Sequence, residues 1–553
     1  MSNEKYDKAK EERKKHVDAV LKSQSKKKIV VAGPGTGKTH LFKEVLKDKN
    51  NSLTLSFINA LVEDLSLELC GISDVKTLHG FARSALGTVT KDTVKVFPKL
   101  SEVIKEDAKI LLDKEIDFDR LFHNRDDENE HIKFYRKRKN YYDKYYGYSD
   151  IVFAIVKYFE KNKSVVPTYD QVVVDEFQDF NKLEVSLIDL LADKSPLLLA
   201  GDDDQALYDF KCASPAHIRE KHAETNKDYA SFTLPYCSRC TKVVVDAAND
   251  IINNASNKGH LSERIDKKYL YFEDEKKDKD SESNPKIIYS QTYSAQIPWF
   301  IEQRIDDIAK EERGSFSVLI ISPTKIQSRL IVRALKNKGF QNIESAEKRG
   351  EKEPSLFDGL KILMDNEKSN LGWRIASKFL STESDFTKIL QETDKDDPKN
   401  IIDLISKEIK KDVKSMLATI RAIKNDKAVN EIKLHELLKA IGYDPLEMAK
   451  EQIREQIISG SQKNVNPGIR RIPIKATTIQ SSKGLAAEYV FITHFDDQYF
   501  IRHKDKTKIS DQDICNFLVA LTRTKKKVLL ISSNNKTKPT FFKWIDKSRI
   551  EII

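Results

Sequence analysis

Residues 28–46 read KIVVAGPGTGKTHLFKEVL, and this run decides the fold. Ile29, Val30 and Val31 predict a short buried strand, and Leu41, Phe42, Val45 and Leu46 recur at helical spacing. A glycine-rich turn lies between them. Strand, glycine loop and helix in that order form the context of a phosphate-binding loop. Gly33, Gly35 and Gly37 let the backbone wrap a phosphate with its N–H groups pointing inward, and the helix N-terminus adds positive potential. Lys38 is expected to reach the terminal phosphates and Thr39 to hold a magnesium ion. Pro34 and Thr36 complete the loop, and Ala32 stands where many such loops carry glycine.

A second run, QVVVDEFQD at 171–179, supplies the acids. Val172, Val173 and Val174 predict a core strand whose C-terminal end carries carboxylates, and ligands bind at that end of open α/β sheets. Asp175 can hold the metal through water, and Glu176 can orient an attacking water. An apolar strand ending in Asp-Glu, downstream of a phosphate loop, is the arrangement of a nucleotide hydrolase.

Bulk properties narrow the class. A chain of 553 residues predicts several domains, and 39% hydrophobic content is enough for real cores. The net charge of +10 fits a polyanionic partner, because side chains that neutralise phosphates release counterions. There is no apolar run of membrane-spanning length, and MSNEKYDKAKEERKK at the start reads as a polar helix rather than a signal peptide. Five scattered cysteines argue for a reducing, cytoplasmic setting with no membrane partner. Cys237 and Cys240 form a CxxC pair without the second pair that zinc would want. Residues 136–148, RKRKNYYDKYYGY, alternate cations with tyrosines, as suits a strand-binding lobe; a solvated face with packed tyrosines fits equally well. The charged stretch 271–286 reads as a flexible loop.

DEFQD together with AGPGTGKT resembles the UvrD/Rep family of superfamily 1 helicases. Further segments resemble the remaining family motifs in the family's order: LSFINALVEDL (55–65), TLHGFARSAL (77–86), LLLAGDDDQALYDFKCASP (197–215) and LPYCSRCTKVVVDAANDII (234–252). SVLIISPTKIQSRLIVRAL (317–335), TTIQSSKGLAAEYVFI (477–492) and ICNFLVALTRTKKKVLLIS (514–532) complete the set. The resemblance implies an α/β chain of two RecA-like P-loop NTPase domains with parallel sheets, each carrying a mainly helical insertion. The first motor domain would comprise 1–90 and 165–233, with 91–164 inserted; the second would comprise 234–350 and 465–553, with 351–464 inserted. In the family that second insertion is a mobile regulatory subdomain.

The resemblance also assigns roles. Gln205 would sense the γ-phosphate of ATP, and Arg239 and Arg523 would act as arginine fingers. Lys483 and Gly484 would join the ATP site, with Mg2+ held by Thr39 and Asp175. Phe57, Asn59, His79, Tyr208, Phe210, Lys211, Gln480 and Ser481 would line a nucleic-acid track. Some positions depart from the family pattern. The adenine-reading glutamine has no counterpart, with Val17 near that spacing and Gln24 too close to the loop. Ser238 replaces an adenine-stacking tyrosine, Gln480 a histidine and Ala486 an acid, and Asp513 stands for a glutamate. These departures predict relaxed nucleotide choice.

The implied function is an ATP-dependent DNA helicase or translocase, 3′-to-5′ on single-stranded or tailed DNA. A second reading is an ATP-dependent sensor or scaffold that gates a partner nuclease, as the helicase-like subunit of the Gabija anti-phage system exemplifies. An RNA helicase ranks third.

Overall fold

The computed structural model describes every residue except 1, 58, 208–210, 313, 346–352, 426–429, 443–470 and 534–536. The chain divides into two compact units. The larger comprises Met1–Phe81, Asn162–Lys348 and Gln462–Ile553, and the smaller comprises Ala82–Lys161 and Arg349–Ser461.

The larger unit holds two parallel sheets. Strands β1 (Lys27–Ala32), β2 (Ser52–Ser56), β3 (Asp74–Thr77), β4 (Gln171–Val174), β5 (Leu197–Gly201) and β6 (Ala230–Leu234) form the first, in the order β3-β2-β4-β5-β1-β6. A short pair, β7 (Tyr236–Cys237) and β8 (Leu270–Tyr271), comes next. The second sheet contains β9 (Ile287–Gln291), β10 (Val318–Ser322), β11 (Ile343–Ser345), β12 (Ile474–Thr478), β13 (Ala487–Ile492), β14 (Thr524–Ser532) and β15 (Ile550–Ile552). Its order is β11-β12-β10-β13-β14-β9-β15.

The central strands β4, β5 and β10 are near-continuous apolar runs because both sheet faces are covered there. Side chains alternate across a strand. In the second sheet Leu319, Ile321, Val490, Ile492, Val528 and Leu530 fill one core. Their neighbours Val318, Ile320, Phe491, Leu529 and Ile531 fill the other. The fold is therefore two RecA-like α/β layers, as the sequence implied. The strand order matters for the site. β5 lies between β1 and β4, so the phosphate loop, the acids after β4 and the acids after β5 emerge side by side at one sheet edge.

Residues 271–286 are not a loop. They carry a helix, Glu275–Ser283, and Asp274 caps it by accepting from the Lys276 and Lys277 N–H groups. The cap, acids in the first turn and a Glu275–Lys279 ion pair one turn apart at 2.8 Å offset the poor apolar content.

The smaller unit is helical among its described residues. Helices Leu100–Leu112 and Glu130–Tyr141 from its first segment meet Asn370–Leu380 and Glu383–Glu392 from its second. They meet around a buried carboxylate. Asp107 accepts from Arg374 Nη2 at 2.7 Å, Arg138 Nε at 2.9 Å and the Tyr142 hydroxyl at 2.5 Å. Arg138 also donates to Thr393 Oγ1 at 3.0 Å. Part of the RKRKNYYDKYYGY run is thereby turned inward, and Lys139 lies 3.6 Å from the Tyr146 ring centre.

Burial alone would raise the Asp107 pKa, but Arg374 and Arg138 hold it below the ordinary aspartate range. A carboxylate with a depressed folded pKa stabilises the fold above its unfolded pKa and loses that contribution as pH falls through the folded value. Asp107→Ala leaves two buried guanidiniums without their shared partner. It is expected to cost about 3–5 kcal/mol, with faster hydrogen exchange in helices Leu100–Leu112 and Asn370–Leu380. Urea denaturation at neutral pH reads the loss, and a change under about 1 kcal/mol would show that the cluster does not tie these helices together.

Candidate nucleotide-binding site

The phosphate loop sits between the two sheets of the larger unit, at the mouth of a cavity of about 730 Å³. Gly33, Pro34, Gly35, Thr36, Gly37, Lys38 and Thr39 line one side. Ala32 closes β1 and is fully buried. The Thr36 hydroxyl donates to the Gly33 carbonyl at 2.9 Å and tightens the turn. Two glycines are required by geometry. Gly35 has φ +72°, and a Cβ there would overlap the Cβ of Arg239. Gly37 has φ +98°, and a Cβ there would lie 2.5 Å from Arg13 Nη2. Left-handed backbone disfavours a side chain at both, and at Gly35 the close approach of Arg239 does so as well.

From the second-sheet side, Ser238 N donates to the Gly35 carbonyl at 2.9 Å, and the Tyr269 hydroxyl donates to the Pro34 carbonyl at 3.0 Å. Ser238 thus fastens the loop at the position where a stacking ring was expected. Arg239 follows it into the cavity, and its Nη1 is buried with no hydrogen-bond partner among the described residues. Arg523 lines the same cavity. Burial, reinforced by the nearby Arg239 charge, holds Arg523 below the ordinary arginine range. Two guanidiniums so placed, Arg523 buried and Arg239 half-buried, favour an anion between them.

The acids face these cations. Asp175 and Glu176 line the cavity, and Glu176 takes a left-handed backbone, φ 54°, that aims its side chain away from the strand direction. Lys38 pairs with Glu176 at 3.1 Å. Lys483 does not line the cavity. It is buried, 2.7 Å from Asp179 and 3.5 Å from Glu176, and donates to the Gln205 carbonyl at 2.7 Å. Burial would raise Glu176, but Lys38 and Lys483 hold it well below the usual carboxylate range. Burial and the Glu176 charge push Asp175 up. Gln205 also lines the cavity; its Oε1 accepts from Arg523 at 2.7 Å and its Nε2 donates to Asp202 at 2.6 Å. Gly484 completes the wall.

Several contributors were not singled out from the sequence. Gln178 donates to Glu176 at 2.7 Å and accepts from the Asp202 N–H at 2.9 Å. It and Asp179 stand in the quoted DEFQD run, so their involvement was signalled there. Arg13 lies 4.8 Å over the Phe272 ring, and both line the cavity. Arg13 is one helical turn before Val17, which is buried in the core instead. No local signal pairs Arg13 with Phe272, because the contact exists only once the second half docks. Lys276, Lys277, Lys525 and Lys526 add a cationic rim.

The expected nucleic-acid residues are partly placed. Phe57 and His79 follow neighbouring strands β2 and β3. The Phe57 ring is half-buried, edge-on to Phe180 at 5.6 Å, with the exposed Lys211 ammonium 4.8 Å above it. His79 is 3.8 Å from Glu184. Gln480 and Ser481 form a turn directly after β12, with Ser481 exposed. Asn59 opens the helix Asn59–Glu68, but its side chain is outside the described set; Tyr208 and Phe210 lie outside the described residues altogether.

Residues 42–226 match the model of the UvrD/REP helicase N-terminal domain. The chain is 29% identical over 217 residues to DNA helicase II of Haemophilus influenzae, covering 38% of this chain and 28% of that protein. It is 31% identical over 119 residues to the ATP-dependent DNA helicase PcrA of Staphylococcus aureus, covering 20% and 16%. A third similarity, 31% over 112 residues, is to one subunit of the ATP-dependent helicase/nuclease of Lactococcus lactis, covering 19% and 9%. The chain thus spans less than a third of the length of each of these relatives.

The crowding at Gly35 gives a direct test of the cavity. Gly35→Ala should displace Arg239 and weaken binding of a fluorescent ATP analogue by about tenfold or more, roughly 1.4 kcal/mol. Unchanged affinity would mean that the nucleotide does not use this wall.

Proposed function

We propose that this chain is a UvrD-like superfamily 1 enzyme, an ATP-dependent DNA helicase or translocase that moves 3′-to-5′ on single-stranded DNA; the similarities over residues 42–226 support the family. The observation that carries it is the two-sided cavity. The phosphate loop, Asp175 and Glu176 face Arg239 and Arg523 across it. We assign residues 1–90 and 165–233 to the first motor domain and 234–350 with 465–553 to the second. The insertions are 91–164 and 351–464, and the site of action is the cytoplasm.

ATP enters as the substrate. Its triphosphate competes for Lys38, which now pairs with Glu176. Lys38 turning to the phosphates releases Glu176 to accept a hydrogen bond from the attacking water. Arg239, with its unpartnered Nη1, and Arg523 stabilise charge as it spreads over the phosphoryl oxygens. Arg523 exchanges the Gln205 oxygen for the phosphoryl oxygens, while the Gln205 amide stays on Asp202 through one N–H and would donate the other to the γ-phosphate, so reporting occupancy. Thr39 and Asp175 fit a magnesium ion: both line the cavity, and the raised Asp175 gains from a neighbouring dication. That ion would neutralise the β- and γ-phosphate oxygens. The half-buried Arg13 stacked on Phe272 is positioned to meet the base, and a donor-only guanidinium accepts purines with acceptors on their edge, consistent with relaxed nucleotide choice.

The nucleic acid would cross the edge that carries Phe57, His79, Gln480 and Ser481. Phe57, Tyr208 and Phe210 would stack bases, which grips a strand without reading its sequence. Asn59 and Lys211 would hold the backbone, and the net charge of +10 supports such a partner.

Two measurements test this reading. Lys38→Ala should abolish hydrolysis with the fold intact. Glu176→Gln should bind ATP and slow turnover by about 100- to 10 000-fold; turnover at the wild-type rate would remove Glu176 from catalysis. Strand displacement on tailed duplexes addresses the second step. Phe57→Ala or Phe210→Ala should each cost about 1–3 kcal/mol of strand binding and lower unwinding more than basal hydrolysis. DNA-stimulated hydrolysis with no unwinding and no translocation would favour the sensor that gates a partner nuclease, and stimulation by RNA alone would favour the RNA helicase.

A further inference from the structure

Beyond the cavity wall, the loop before β8 carries a lysine with no role in the reading so far. We propose that Lys267 is a positioning residue for hydrolysis: it holds the side-chain amide of Gln205 in its working orientation through the carboxylate of Asp202. The proposal rests on the assignment of Gln205 as the γ-phosphate sensor.

Lys267 comes from the second-sheet side, and its side chain is only 4% exposed. It pairs with three successive carboxylates from the first-sheet side: Asp202 at 3.0 Å, Asp204 at 2.9 Å, and Asp203. An ammonium has three N–H donors, so one carboxylate for each uses them all. Asp203 and Asp204 have further cations of their own, Arg219 at 3.2 Å and Arg264 at 2.9 Å. Neither arginine is paired with Asp202.

Asp202 divides its two oxygens. Oδ1 takes Lys267 at 3.0 Å, and Oδ2 accepts from Gln205 Nε2 at 2.6 Å. The other end of the Gln205 amide, Oε1, accepts from Arg523 at 2.7 Å. A chain of contacts, Lys267 to Asp202 to Gln205 to Arg523, therefore starts on the second-sheet side, passes through the first and returns. It decides which way the Gln205 amide faces: NH2 toward Asp202, oxygen toward the arginine finger. Oδ1 also accepts from the Asp204 N–H at 3.2 Å, so without Lys267 the Asp202 carboxylate keeps a backbone donor but loses the cation paired with it, and the amide is held less firmly. Lys267 itself does not line the nucleotide cavity; it lines a small neighbouring pocket with Gly33, Pro34 and Gln205. The proposed effect on turnover passes through Gln205, and the double variant separates that route from one through the glycine loop.

The test uses the full chain with Lys267→Gln, Gln205→Ala and the double variant. It reads kcat for ATP at saturating single-stranded DNA and the Kd of a fluorescent ATP analogue. Lys267→Gln is expected to lower kcat about tenfold while Kd stays within about twofold. In the Gln205→Ala background the same change should alter kcat by less than about twofold, since the two act in series. Full turnover by Gln205→Ala would defeat the sensor assignment, whatever Lys267 does. An impaired Gln205→Ala beside an unimpaired Lys267→Gln would overturn the positioning role, and so would losses that multiply in the double variant. If Lys267→Gln does not fold, Asp202→Asn carries the test. Asparagine keeps the shape but has one acceptor oxygen, so it cannot serve Lys267 and Gln205 together. The same kcat loss and the same lack of additivity are expected, and full kcat in Asp202→Asn overturns the proposal.

Discussion

A charge removed from water must be paired, and for several buried charges of the larger unit the partner comes from the opposite sheet. Lys483 is the clearest case. It leaves the turn after β12 and ends, buried, on Asp179 and Glu176 after β4. Taking an ammonium and a carboxylate out of water costs several kcal/mol each unless geometry and hydrogen bonds compensate. Lys483 and Lys267 are buried only because acids from the first-sheet side meet them, which ties the two sheets together. The loop carbonyls of Pro34 and Gly35 obey the same rule, with donors from Tyr269 and Ser238.

That requirement has a chemical consequence. The groups that the proposed function assigns to phosphate are bonded to other groups in the structure: Lys38 to Glu176, Arg523 to Gln205. On that proposal a triphosphate would exchange each contact for a stronger one. Binding can therefore repartition contacts across the seam, and a ligand shifts a conformational equilibrium only by such differential contacts. Arg239 differs, since its buried Nη1 has no hydrogen-bond partner among the described residues. The smaller unit uses the opposite strategy. Asp107 is paired with Arg138 and Arg374 and accepts from Tyr142, all buried. These contacts tie the two chain segments of the smaller unit to each other.

Much of this was legible in the sequence because it is local. Val-rich runs ending in glycine or in Asp-Glu specify strands and the turns that leave them at a sheet edge. The spacing from Gly33 to Thr39 specifies the phosphate loop, and alternate residues of each strand specify two covered faces. The sequence by itself determined the two α/β layers, the phosphate loop and the acids after β4. Its local reading failed at 271–286, where composition outweighed the Asp274 cap. What only the tertiary structure decided is which residues from distant segments share a buried space. Arg13 meets Phe272, Ser238 fastens the loop, Lys483 seals the acids from behind, and Lys267 fills the Asp202–Asp204 cluster. The physical reason is that pairing of buried charge depends on distance and dielectric, and neither is a function of separation along the chain.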